Sequence, residues 1–216
     1  MKKTFLTWFI ILLLCFVTST FLHEVAHGAC SYAVGIHVST GFNKVGMPFK
    51  KPQDSDFRKG FFDKGDNPWD MGPATTLVLA IGFTVAFLKS KSKNKYVVML
   101  LAAFALCNSL IRLIPMLHSY AGLLVRGSFF MEDEIGTGIS WYNLCGLEIM
   151  RYIPSLISIA VSLICIYFII QALKIKLPDL FAKRVYFAAG LVAVYIAYIA
   201  AFKIETILDN MIRINW

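Results

Sequence analysis

The densest potential chemistry in this chain lies at the end of its first apolar run, Phe21-Leu22-His23-Glu24-Val25-Ala26-His27-Gly28. Helical spacing puts His23 and His27 one turn apart on one face, where two imidazoles can hold a single metal ion. Glu24 points about 100° around the same helix, so it reaches a water beside the metal rather than the metal itself. His-Glu-x-x-His supplies two ligands and the general base of a zinc peptidase. With 4 His in 216 residues, the pattern has a chance expectation of roughly 0.002 matches. Three ionisable groups in an apolar helix also argue for function, since such residues are expensive at membrane depth.

Catalytic zinc takes three protein ligands and keeps one position open. The third ligand must come from another segment, and Asp133, Glu134, Glu132, His118 and Glu148 stand at a suitable depth. Asp133 is the first choice, because a later carboxylate would leave the site less positive and bind zinc firmly. On composition alone, Glu132-Asp133-Glu134 reads as a solvated acidic loop. The histidine pair's need for a ligand reverses that reading. Asn108 could bind the substrate backbone or a developing oxyanion, or else make an interhelical hydrogen bond. Arg112 shares its face and is expected to snorkel towards headgroups in preference to pairing with an acid. His37 and His118 read as interfacial loop histidines in preference to ligands.

These residues must be positioned by a membrane scaffold. The chain is 58% hydrophobic and 16% charged, with a mean hydropathy of +0.67, which is not the composition of a soluble domain. The net charge of +8 marks the cytoplasmic ends of membrane helices, not a nucleic-acid surface. Five apolar runs, Thr4–Leu22, Gly72–Leu88, Tyr96–Leu117, Ile153–Leu173 and Val185–Phe202, predict an all-α polytopic protein of about five transmembrane helices. The first run is too long for a signal-peptide core, and cleavage near Cys30 would discard the histidines. Ile36–Thr40 and Lys44–Phe49 flank Gly41-Phe42-Asn43 and predict a small extramembrane β-hairpin. Lys50–Asp70, with five aspartates, reads as a solvated loop. A second polar loop is expected from His118 to Glu148, after Pro115 ends the third span. A short amphipathic tail is expected after the fifth. The five cysteines (Cys15, Cys30, Cys107, Cys145, Cys165) lack Cys-x-x-Cys spacing, which argues against a thiolate zinc site.

Lys2-Lys3, the lysines from Lys89 to Lys95 and the Lys174–Arg184 connection fall on one side of a five-span arrangement, which puts the N-terminus in the cytoplasm. From Thr4 to His23 is 19 residues, roughly 29 Å of helix, so the histidines should lie near the outer boundary. Gly72-Pro73 and Asn108–Pro115 reach the same level. The expected organisation is one domain over residues 1–216, with a three-span core over 4–136 and two further spans and a tail over 137–216. A bacterial cytoplasmic membrane is the expected location.

His23-Glu24-Val25-Ala26-His27 at the end of a first span, Gly72-Pro73 opening the next, and a later Asn108, Pro115 and Asp133 resemble the site-2 protease family of intramembrane zinc metallopeptidases. The likeness covers roughly Thr4 to Gly136, and the wide spacing of the last three residues looks like that of a divergent member. It implies a three-helix core, a small β element after the first helix, an aspartate as third ligand and membrane-protein substrates. Residue by residue, His23 and His27 would be ligands, Glu24 the base and Asn108 the motif asparagine. The expected function is zinc-dependent hydrolysis of a peptide bond in or near a transmembrane segment of a membrane protein. The competing expectation is a non-catalytic zinc-binding membrane protein, either a transporter or an inactive scaffold.

Overall fold

The computed structural model describes residues 2–33, 35–46, 71–130, 132–181, 184–209 and 211–216. The expected loop Lys50–Asp70 and the far part of the hairpin's second arm, residues 47–49, lie outside the described residues. Helices α1 (Lys2–Ala33), α2 (Met71–Lys89), α3 (Lys95–Arg126), α5 (Ile153–Lys176) and α7 (Arg184–Leu208) dominate the fold. Each contains a stretch long and apolar enough to cross a membrane. A shorter helix α4 (Asp133–Cys145) and a 3-10 turn (Glu148–Arg151) precede α5, and a four-residue helix α6 (Pro178–Phe181) precedes α7. The protein is a multi-pass, all-α membrane protein with one small sheet.

Helix α3 is the centre of the bundle. In its most apolar stretch 67% of residues are buried, against 28–33% in the other four. It carries buried Ala102, Ala103 and Ala105, and such small side chains let neighbouring membrane helices approach closely. Helices α1, α2 and α5 all pack against it. The opposite faces of the outer helices leave Leu6, Leu14, Val78, Ile81, Leu163, Ile164 and Ile196 exposed. Apolar area on that scale suits a lipid surface. At one end of the bundle, the Lys176 ammonium donates to the carbonyls of Phe87 (2.6 Å), Leu88 (3.0 Å) and Ser90 (2.9 Å). It thereby satisfies carbonyls at the C-terminus of α2 that have no intrahelical donor.

Three expectations change. Helix α1 runs eleven residues beyond Leu22 to end at Ala33, so the His-Glu-x-x-His segment lies inside a continuous helix rather than at its end. Pro115 does not end the third span: α3 continues through it to a left-handed Gly127 cap, whose N–H bonds Leu123. A proline inside a helix removes one donor, which packed membrane helices tolerate when neighbours cover the gap. The expected polar loop from His118 to Glu148 is therefore mostly helical, comprising the end of α3 and then α4. Asp133 and Glu134 occupy the first turn of α4, where carboxylates complement the positive helix end.

The hairpin forms as β1 (Ser39–Thr40) and β2 (Val45–Gly46), antiparallel with Ser39 opposite Gly46. The tail adds β3 (Ile214–Asn215) to the other edge of β1, giving the order β2-β1-β3. The Trp216 N–H donates to the Val38 carbonyl (3.0 Å), and its indole N–H donates to the Thr40 hydroxyl (2.8 Å). Just beyond α7, the Asp209 carboxylate accepts from the Phe42 and Asn43 amides of the hairpin turn. The fifth span and the β element are thus one connected unit above α1.

Candidate metal centre

His23 and His27 project from consecutive turns of α1, and both are buried. Their Nε2 atoms lie 3.0 Å apart. Asp133, from the first turn of α4, brings Oδ2 to 3.0 Å from His23 Nε2 and 3.5 Å from His27 Nε2. Tetrahedral zinc with bonds of about 2.0–2.1 Å separates neighbouring ligand atoms by about 3.3–3.4 Å. The three edges agree with that to about 0.3 Å. Among the described residues, His23, His27 and Asp133 are the group that could hold a metal ion.

The supporting contacts favour the same use. The Thr76 hydroxyl donates to the Gly72 carbonyl (3.0 Å), so its oxygen is left to accept from His23 Nδ1 at 2.9 Å. That places the His23 proton on Nδ1 and turns a lone pair of Nε2 towards the Asp133 carboxylate. Two acceptors 3.0 Å apart repel unless a cation or a proton lies between them. Fixing a ligand's tautomer through its second nitrogen is a regular feature of histidine metal sites. Gly72 closes the other side, since a Cβ there would collide with both imidazoles. Only glycine lets the start of α2 approach this closely.

Arg112 does not snorkel. It is buried at 6% exposure, and its guanidinium lies 3.3 Å from both Asp133 Oδ2 and Glu134 Oε2. The Ser158 hydroxyl of α5 donates to Glu134 Oε1 at 2.7 Å. A buried guanidinium needs partners, and two carboxylates at the head of α4 supply them. Burial pushes Glu132 up to about 7, with the Asp133 charge adding to the effect. Glu134 is also raised by burial, against the pull of Arg112.

A cavity of about 270 Å³ opens beside this group. Its lining includes His23, Glu24, Arg112, Pro115, Glu132 and Asp133. Glu24 therefore faces the same space as two of the three candidate ligands, as a base for a water in that space must. Asn108 stands elsewhere. Fully buried, it donates to the Ser19 hydroxyl (3.0 Å) and the Phe104 carbonyl (2.8 Å) and is not part of the cavity wall. Of its two expected uses, the structure brings about the interhelical bond. His118 stacks on Phe130, Glu148 pairs with Arg151, and His37 contacts the Trp216 carbonyl. None of the three joins the metal group.

The sequence reading omitted Thr76, Ser158 and Glu205. Nothing in a lone threonine or serine of an apolar helix distinguishes a ligand support from an ordinary helix contact. Glu205 left a signal: Tyr198, Ala201, Phe202 and Glu205 recur at i, i+3, i+4 and i+7, and all four line the cavity as one stripe of α7. The sequence matches no protein-family profile, no characterised protein and no solved structure.

Proposed function

We propose that this protein is an intramembrane zinc metalloprotease that hydrolyses a peptide bond in or near a transmembrane segment of a membrane protein. The observation that carries the reading is the convergence of His23, His27 and Asp133 beside a cavity that Glu24 also lines. Two imidazoles and one carboxylate suit zinc and leave a coordination position open. When bound, the ion would acidify a water and polarise the scissile carbonyl. Glu24 accepts the proton of the attacking water and later delivers it to the leaving amine. Thr76 keeps the His23 lone pair aimed at the metal position, and Arg112 holds Asp133 in place. Burial of these groups among α1, α2 and α3 favours a substrate presented from the bilayer. The charge bias of the connections supports a cytoplasmic N-terminus and a site towards the outer face.

Purified protein should hold about one zinc per chain. Glu24→Gln should keep the metal and accumulate an uncleaved membrane partner that the parent protein processes. Asp133→Ala should lose the metal, whereas His118→Ala should retain it. Undiminished physiological activity in Glu24→Gln would refute proteolysis and leave a zinc-binding transporter or scaffold. Metal retention in Asp133→Ala would remove the third ligand.

A further inference from the structure

Glu205 has no function in the chemistry above, yet its position is unusual. It sits on α7 at 3% exposure, lines the cavity, and its Oε1 is buried without a hydrogen-bond partner among the described residues. The neighbouring groups do not neutralise it. The charged groups that act on it are Asp209 and Glu24, both acidic. Thr20 lies within hydrogen-bonding reach, but the Thr20 hydroxyl donates to the Phe16 carbonyl at 3.1 Å. Arg112 is engaged by Asp133 and Glu134. Across the cavity, Glu24, Glu132, Asp133 and Glu205 face that one guanidinium. A divalent ion on His23, His27 and Asp133 would offset the charge at Asp133 and leave the α7 side acidic. A buried carboxylate with no countercharge among the described residues is unfavourable until a cation reaches it.

The rest of the lining fixes what kind of cation fits. Phe16, Ile111, Ala201 and Phe202 give the cavity apolar walls, with Tyr198 on the same α7 stripe. A volume of about 270 Å³ is below the usual 300–1,000 Å³ of drug-sized sites, so it suits one side chain rather than several. Lysine and arginine combine an apolar stem with a cationic head. We propose that the α7 side of this cavity is a subsite for a basic side chain of the substrate, its stem against Phe16, Ile111 and Phe202 and its head at Glu205. This rests on the cavity being the substrate site of the proposed peptidase, and it names a specificity: a lysine or arginine beside the bond to be cut. The fifth span then selects substrate, while α1 and α4 hold the metal.

The test uses binding rather than turnover. Full-length Glu24→Gln protein in detergent is titrated with two fluorescent peptides, blocked at both ends and identical except for one lysine or norleucine. Charged hydrogen bonds are worth about 1.5–3 kcal/mol, so the lysine peptide should bind at least about tenfold tighter. Glu205→Gln in the same background should bring the two within about twofold, Glu205→Asp should keep part of the preference, and Glu148→Gln, at an exposed carboxylate outside the cavity, should leave it intact. Equal affinities, no measurable binding of either peptide, or a lysine preference surviving in Glu205→Gln would each overturn the inference. Because the ratio is read without hydrolysis and can be repeated on metal-free protein, its failure is distinct from a failure of the peptidase reading. That second failure would show as absent zinc or absent cleavage with the lysine preference still present.

Discussion

Replacing Gly72 by alanine should damage the metal centre without touching a ligand. A Cβ on Gly72 would lie 2.5 Å from His27 Cε1 and 2.6 Å from His23 Cε1. Non-bonded carbons settle at about 3.5–4.0 Å, so the rings, α2 or both must give by about 1 Å. Retreat of α2 would carry Thr76 away from His23 Nδ1, because that hydroxyl is anchored to the Gly72 carbonyl. Metal sites tolerate errors of about 0.2 Å in ligand distance. Loss of a supporting contact alone typically weakens metal binding 10–100-fold. Displacing two ligands should therefore weaken zinc binding by at least about 100-fold, or about 2.8 kcal/mol. The assay is zinc titration against a chromophoric chelator, with thermal unfolding of the metal-free protein as the measure of fold. Gly82→Ala supplies the control on the same helix, since a Cβ there meets none of the described residues within 4 Å. It should leave zinc affinity unchanged. If Gly72→Ala binds zinc within about threefold of the parent, the close approach of α2 to the histidine pair is refuted, and with it the geometry of the site.

Two further outcomes follow from the contacts around the ligands. Thr76→Val removes the acceptor for His23 Nδ1 and should lower zinc affinity about 10–100-fold, while Thr76→Ser should restore it; equal affinities across the three proteins would show that the tautomer is set elsewhere. Arg112→Leu strands Glu134, which is 2% exposed, and should destabilise the metal-free protein by about 3–5 kcal/mol. Arg112→Leu with Glu134→Leu should be milder than the single change, because no buried charge is left alone; a double variant less stable than Arg112→Leu would refute the pairing as the source of the loss.

Local features are legible in the order of residues alone. Uninterrupted apolar runs have few fates other than membrane helices, because every backbone group must be satisfied within the segment. A spacing of four residues puts His23 and His27 on one face whatever surrounds them. Everything that needed two distant segments to meet came from packing. Asp133 was one of five candidates at similar depth, and only the start of α4 against α1 sets its oxygen 3.0 Å from His23. Pro115 stops an isolated helix, but inside a packed bundle α3 runs through it to Arg126. Arg112 would snorkel on a lone helix; beside Asp133 and Glu134 it finds better partners within the bundle. Glu205 lay where α7 was expected to give way to a tail, and the folded helix extends to Leu208, turning that residue inward. The His-Glu-x-x-His segment needed one helix to be recognised. Its third ligand, its glycine gap and its acidic wall needed four: α1, α2, α4 and α7, brought together around it.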